Sequence, residues 1–313
     1  MRSTAAIRTA ARTTLADPAL WPIALAGFLV RGGIVLMLLS LVPFPSAVGL
    51  ANLVGPTAVT AAGPTTATIV GIVALATIGI AVLIVAIVIG AALEVELVGG
   101  IPPGPLVGRR VIRRVITTRR LVAIRRLVAI RLVSLVPVAI VIAAAAPSIG
   151  ATVYRELLTP SDIAVSLVER VARGSVGQMA TIAAAWLAAE TLGGVAVRIA
   201  LAEDARTLRS LGRAVAWVVR NPARTLAALV LGLAGILAAL IPSLVALAGA
   251  MAGLRDLVES GAAAPFVALA IVLLVAVWSI GLVLLGIAAT WRSCLWTAAV
   301  VGGLREGAER AVA

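Results

Sequence analysis

The sequence predicts an all-α integral membrane protein, a polytopic bundle of six transmembrane helices. Hydrophobic residues make up 62% of the 313-residue chain and charged residues only 12%, whereas a soluble domain has about 25% charged residues. Uncharged stretches longer than the roughly 20 residues that cross a bilayer also recur, at residues 32–93, 132–154, 225–254 and 260–291. So much apolar sequence cannot be packed inside one water-soluble core.

The apolar runs and the breaks between them predict six spans, which we treat as one integral membrane domain over residues 1–313. Every run is long enough for a membrane helix, and none shows the ten-residue alternation of an outer-membrane barrel. The predicted spans cover residues at about 20–42, 68–93, 127–147, 175–200, 225–252 and 263–291.

Basic, partly apolar segments precede the odd-numbered spans. Residues 2–16 should form a short interfacial helix that ends before Asp17-Pro18. We interpret this segment as retained in the protein, because Arg31 interrupts the apolar run that follows and no cleavage signal is clear. Segments 109–126 and 203–220 have the same character. We therefore expect basic interfacial helices before helices 1, 3 and 5.

Two loops on the other side of the bundle differ in kind. Residues 43–67 carry no charge and are broken by Pro and Gly, so we expect them to lie against the membrane or to dip into it. The loop after the third span predicts a short interfacial helix with Ser161 or Asp162 as its cap. One face of this helix would be apolar and would hold Ile163, Leu167, Val168 and Val171, with Glu169, Arg170 and Arg173 elsewhere.

Arginine provides all 26 basic side chains, and its distribution predicts the orientation of the spans. Cytoplasmic loops of membrane proteins carry an excess of Lys and Arg. With both termini in the cytoplasm, nearly all arginines outside the spans fall on the cytoplasmic side. The exceptions are Arg155, Arg170, Arg173 and Arg255. The chain should therefore be a multi-pass protein with both termini cytoplasmic.

The stretch RRLVAIRRLVAI at residues 119–130 repeats a six-residue unit, and Arg131 begins a third copy. A six-residue step turns a helix by about 240°, so the Arg pairs do not form one charged face. We interpret them as a stop signal that holds the loop on the cytoplasmic side by contacts with anionic lipid head groups. The alternative is a specific lipid or partner site. The arginines concerned are Arg109, Arg110, Arg113, Arg114, Arg119, Arg120, Arg125 and Arg126.

Charged residues inside the spans are the best candidates for a function, because an ionisable group within the bilayer is costly. Arg31 lies near the middle of the first span, and Glu190 and Arg198 lie in the fourth. One interpretation is a buried Glu190–Arg31 pair that lines a cavity or a proton or ion path. The other is a single ion pair or hydrogen bond that fixes helix register, with Arg198 extending to the cytoplasmic edge.

Other acidic residues and the composition argue against catalysis. Glu94 and Glu96 end the second span beside the Arg pairs, so we expect structural pairing there rather than catalysis.

The chain has no histidine and a single cysteine, Cys294, so it lacks a Ser-His-Asp triad, a His-ligated zinc site and an internal disulfide. Despite its net charge of +13, it lacks the aromatic residues that interleave basic ones in nucleic-acid sites. We expect no enzyme, no cofactor and no nucleic acid.

Two segments carry a family resemblance, WVVRNPARTLAALVL at residues 217–231 and ELLTPSDIAVSLVERVARG at residues 156–174. There the chain resembles a broad group of bacterial six-helix membrane proteins, which is similar to the membrane domain attached to glycerophosphodiester phosphodiesterases. The resemblance covers most of the chain in layout and implies the six-helix architecture in a bacterial inner membrane. It implies no functional residues.

These observations lead to a functional hypothesis with one alternative. The leading hypothesis is a non-catalytic integral membrane protein that acts as a membrane scaffold or a partner-binding component. Its partners would be membrane lipids, with anionic head groups on the cytoplasmic side, and a protein partner or a second copy of the chain. The alternative is a transporter or permease subunit for a lipid or small apolar solute, with Glu190 and Arg31 at its centre.

Overall fold

The structure is a computed structural model that describes residues 2–39, 59–60, 63–64, 66–101, 109–162 and 165–312. Within these ranges it is all-helical apart from one two-residue antiparallel pair, β1 (Val59–Thr60) with β2 (Gly63–Pro64). Most of the uncharged loop 43–67, including any approach of that loop to the membrane, lies outside the described residues.

Six helical stretches of the described chain are long and apolar enough to cross a membrane, which confirms the predicted fold class. They are Leu20–Leu38, Ile69–Gly100, Arg120–Leu158, Val176–Glu203, Pro222–Glu259 and Ala264–Leu304. Several extend beyond the predicted spans, because charged residues continue the helix past the apolar run. The chain is therefore a multi-pass membrane protein.

The helices are numbered in chain order. Before the second span they are α1 (Arg2–Ala16), α2 (Leu20–Phe28), a π-helical segment (Leu29–Gly33) and α3 (Ile34–Leu39). The later helices are α4 (Thr66–Gly100), α5 (Arg109–Leu158), α6 (Leu167–Gly174), α7 (Val176–Glu203), α8 (Thr207–Arg220), α9 (Pro222–Glu259) and α10 (Ala264–Val312).

Two of the three basic segments form separate helices, α1 and α8, and the third does not. Segment 109–126 is the first part of α5, which continues unbroken to Leu158, so the prediction of a separate helix before the third span is wrong. The reason is local. The other two segments end at Asp17-Pro18 and at Asn221-Pro222, where proline disfavours a continued helix, whereas no such signal follows Arg126.

The first span is not one continuous helix, contrary to expectation. Its π-helical segment contains non-helical backbone angles at Arg31 (φ −81°, ψ 16°) and Gly32 (φ 105°, ψ −5°). Gly33 is also required, because a Cβ there would overlap the Phe28 ring and would lie 2.7 Å from the Phe28 carbonyl oxygen. The break therefore falls at the one charged residue of this span.

The chain groups into two compact units, and a single domain over residues 1–313 stays a prediction. The first unit comprises Met1–Val42, Ile87–Arg131 and Thr191–Ala313, and the second comprises Pro43–Ala86 and Leu132–Glu190. In the first unit, α10 packs against α9, α2 and α1. Gly286 allows α2 to approach closely, since a Cβ at this position would lie 3.0 Å from the Trp21 carbonyl oxygen.

In the second unit, α6 forms where the sequence predicts a short interfacial helix, but its cap and its buried face differ from the prediction. Ser166, not Ser161 or Asp162, caps the helix by accepting a 3.3 Å hydrogen bond from the Glu169 amide.

On the buried face of α6, Leu167 and Val171 are buried as predicted, whereas Val168 is exposed. Ile163 lies outside the described residues. Arg170, which was not expected on this face, is also buried.

Arg170 is buried because the loop before α6 wraps its guanidinium with oxygen atoms. The side chain is 3% exposed. It donates to the carbonyl oxygens of Asp162 at 2.5 Å, Val165 at 2.8 Å and Glu156 at 3.2 Å. Its Nε lies 3.0 Å from the Glu156 carboxylate, which also accepts hydrogen bonds from Ser161. One arginine thus ties the loop to the end of α5.

We predict that G32A lowers the stability of the protein and that G27A does not. At φ 105° a side chain is strained by about 1–3 kcal/mol. Gly27 lies in regular helix, and a Cβ added there would meet nothing within 4 Å, so alanine is tolerated. Thermal unfolding of both variants in the same detergent checks the prediction. Equal midpoints for G32A and G27A would show that the break is not required.

We predict that R170Q weakens the loop before α6 far more than R173Q does. Arg170 is buried with several acceptors, whereas Arg173 is 66% exposed and pairs with Glu169 across one helical turn. Limited proteolysis of residues 159–166 in detergent is the measurement. Faster cleavage is expected for R170Q alone, and similar cleavage rates for the two variants would contradict the assigned role of Arg170.

Candidate functional site

The candidate site is built around Glu94 in α4. Its side chain is 5% exposed, and it lies on the same helix face as the buried residues Ala91, Val95 and Val98. This spacing of three and four residues marks the face of α4 that packs into the protein core. A carboxylate on such a face needs cationic or hydrogen-bonding partners, because burying an unpaired charge is very costly.

Three arginines from three different elements supply these partners. Arg31, in the π-helical segment, donates from Nη2 to Glu94 Oε2 at 2.5 Å. Arg131 of α5 donates from Nη2 to both carboxylate oxygens, at 2.9 Å and 3.2 Å. Arg198 of α7 places Nη1 3.5 Å from Oε1. We call these four side chains the Glu94 cluster.

Arg198 also links α7 to α10. It is buried within a stretch of α7 in which its neighbours Val197 and Ile199 have no exposed surface. Its Nη1 donates to the Gly194 carbonyl at 2.8 Å, and its Nη2 donates to Ser293 Oγ of α10 at 3.3 Å. Acceptors inside the protein therefore hold the Arg198 guanidinium, where the sequence had predicted a side chain that extends to the cytoplasmic edge.

Arg31 pairs with Glu94, whereas the sequence had pointed to Glu190 as its partner. The Arg31 side chain remains 38% exposed and packs over Gly90, where a Cβ would lie 3.4 Å from Nε. Glu190 lies in α7 and is partly buried. The ion pair that joins the first span to its neighbours is thus made with the acidic residue that ends the second apolar run.

Arg131 belongs to the third copy of the arginine repeat, and it faces inward. Ala123, Leu127 and Ile130 form the buried face of α5, and Arg131 follows Leu127 by one helical turn, so it projects toward the core. Sequence reasoning missed this role because the repeat as a whole has the character of a surface feature. The spacing of Arg131 from the buried leucine was the available signal.

The earlier arginines of the repeat behave differently from Arg131. Arg120 pairs with Glu96 at 2.5 Å, which is the structural pairing expected for that acid. Arg126 contacts the side chain and the carbonyl oxygen of Asp204, and Arg125 is exposed. The side chains of the remaining predicted lipid-contacting arginines lie outside the described part of the chain. They are Arg109, Arg110, Arg113, Arg114 and Arg119.

The Glu94 cluster borders apolar surface that is exposed on the first span and on α4. Exposed apolar residues begin at Ile34 after Arg31, and on α4 they stop at Ile89 before Glu94. The apolar part of α4, residues 66–93, spans about 42 Å as a helix, more than the roughly 30 Å hydrocarbon core. The cluster can therefore sit near a membrane interface, and the mid-span position expected for Arg31 stays a prediction, since Arg31 lies within the candidate span Leu20–Leu38.

No family model, no curated protein and no solved structure matches the chain. The site is therefore interpreted from its own geometry. That geometry joins four membrane helices and the broken first span through one carboxylate and one serine. Such a network can fix the register of helices, and it presents one partly exposed guanidinium at its edge.

We predict that E94Q destabilises the protein by about 3–5 kcal/mol, the range for removing one partner of a buried ion pair. E96Q is the matched control, since Glu96 lies two residues away, is 40% exposed and pairs with one arginine. It should cost less than about 1 kcal/mol. Thermal unfolding in detergent and the yield of monodisperse protein are the measurements. Equal stability of E94Q and E96Q would contradict the assigned role of Glu94.

Proposed function

We propose that this chain is a non-catalytic scaffold or partner-binding component of the bacterial inner membrane, with both termini in the cytoplasm. The observation that supports this proposal most is the Glu94 cluster. Charged side chains within membrane helices commonly mark pathways for ions or protons. Here three of them converge on one buried carboxylate and connect helices, which is the use expected of a structural framework.

The amphipathic helix α8 supports a role in holding lipids or a partner. Its buried face includes Ala214 and Trp217, whereas Leu208 and Val219 are among the most exposed apolar residues of the described chain. Apolar side chains on an exposed helix face, next to arginines, are typical of helices that lie in a membrane interface or bind another protein. The architecture of the resembling bacterial family is consistent with this proposal.

One observation favours the alternative, a transporter or permease subunit for a lipid or small apolar solute. The first span is broken at Arg31–Gly32, and interrupted membrane helices often form binding sites in transporters. In this alternative Arg31 and Glu190 act on the solute. The present pairing of Arg31 with Glu94 gives the guanidinium a structural contact that a transport cycle would have to release.

Purification in mild detergent separates the two proposals. The scaffold proposal predicts that one protein partner or a second copy of the chain remains bound at fixed stoichiometry through size-exclusion chromatography, as measured by mass spectrometry. Co-purification of an ATPase would contradict it and support the permease.

We predict that E190Q preserves this stoichiometry whenever the variant is folded, because the scaffold proposal gives Glu190 no part in partner binding. The R255Q variant, which removes one exposed charge from α9, controls for a general effect of changed charge. A folded E190Q protein that reaches normal levels in cells but fails to support growth where the wild type does would instead favour transport.

A further inference from the structure

We infer that Arg31 forms a binding site for the phosphate group of an anionic phospholipid, whose acyl chain lies along α3 and the adjoining part of α4. The site differs from the lipid contacts expected of the arginines in segment 109–126, because it is a single guanidinium fixed on a structured cluster. The inference does not depend on the scaffold proposal.

The donor is both fixed and accessible. Arg31 is held by its Nη2 hydrogen bond to Glu94, yet its side chain is 38% exposed. A guanidinium has five N–H donors in a planar fork, and within the described residues Arg31 uses this one bond to the protein. The remaining donors can meet phosphate oxygens, for which the guanidinium geometry is well suited.

The charge of the cluster favours an anion. Its four side chains comprise three guanidinium groups and one carboxylate, and Arg131 and Arg198 reach that carboxylate as well as Arg31. Glu94 is therefore shared, and it neutralises Arg31 only in part. Anionic lipids are attracted to such basic groups at the membrane surface.

The surroundings of Arg31 favour a lipid over free phosphate. Ile34 and Val35 follow one turn later on α3 and are exposed, and Val88 and Ile89 are exposed on α4. Gly90, beside the Arg31 side chain, adds no side chain that would cover it. A ligand with a phosphate at one end and an alkyl chain at the other would contact both the guanidinium and these apolar residues.

The backbone break helps to place this donor. Arg31 and Gly32 have non-helical angles, so the Arg31 side chain leaves the span at the point where the regular hydrogen-bond pattern is interrupted. The exposed apolar residues of α3 begin within three residues of it. The guanidinium consequently lies at the boundary between the charged cluster and the exposed apolar surface, where it would meet the phosphate of a bound lipid.

Native mass spectrometry of the full-length protein in mild detergent tests the inference. Dioleoylphosphatidylglycerol, dioleoylphosphatidylcholine and inorganic phosphate are titrated separately. The wild-type protein should retain phosphatidylglycerol in preference to phosphatidylcholine, and an equal concentration of inorganic phosphate should not displace it. R31Q should bind phosphatidylglycerol roughly tenfold more weakly, the effect of losing a charge-assisted hydrogen bond. R255Q, which removes an exposed arginine outside the cluster, should bind it as the wild type does.

Three outcomes would overturn the inference. They are equal retention of the two lipids by the wild type, unchanged binding by R31Q, and displacement by inorganic phosphate at equal concentration, which would indicate a free-phosphate site. Should R31Q not fold, wild-type protein is photo-crosslinked to phosphatidylglycerol with a diazirine in its acyl chain. Labelling concentrated on residues 34–38 and 88–89 supports the site, and labelling spread evenly over the exposed apolar residues of the spans overturns it.

Discussion

The carboxylate of Glu94 sets the main constraint on the first compact unit. A buried acid at the end of an otherwise uncharged run cannot be left without cations, and α4 has no basic residue of its own. The cations therefore come from elsewhere in the chain, namely Arg31, Arg131 and Arg198. Because a buried carboxylate without cationic partners is very costly, the segments that carry them are held at the heights where these contacts can form.

The broken first span is a consequence of the same constraint. Arg31 must reach Glu94 while the residues after it face lipid, and regular helix gives way at this point to a π-helical segment with Gly32 at positive φ. Glycine at positions 32 and 33 accommodates the interruption, first through its backbone angles and then through the close approach of Phe28. The strained backbone at Gly32 and the position of the Arg31 charge thus have the same cause, the contact between Arg31 and Glu94.

Hydropathy was sufficient to predict the six spans, because a bilayer requires long uninterrupted apolar helices and few other structures meet that requirement. It was not sufficient for the Glu94 cluster. Arg198 and Arg131 contact Glu94 over long sequence separations, so helix packing decides their partners, and no periodicity within one helix identifies them. The prediction for segment 109–126 failed for a local reason. Proline ends α1 and α8, whereas no helix-breaking residue directly follows Arg126, so the arginine repeat continues into the rest of α5.

The arginines of the repeat have different partners because the repeat lies within one continuous helix, α5. Because a six-residue step rotates by about 240° around a helix, successive copies in α5 point in different directions. Arg120 and Arg126 reach Glu96 and Asp204, whereas Arg131, one copy later, reaches inward to Glu94. A repeat with one charged face could not do both. The six-residue repeat within α5 therefore connects arginines at the protein surface with the Glu94 cluster.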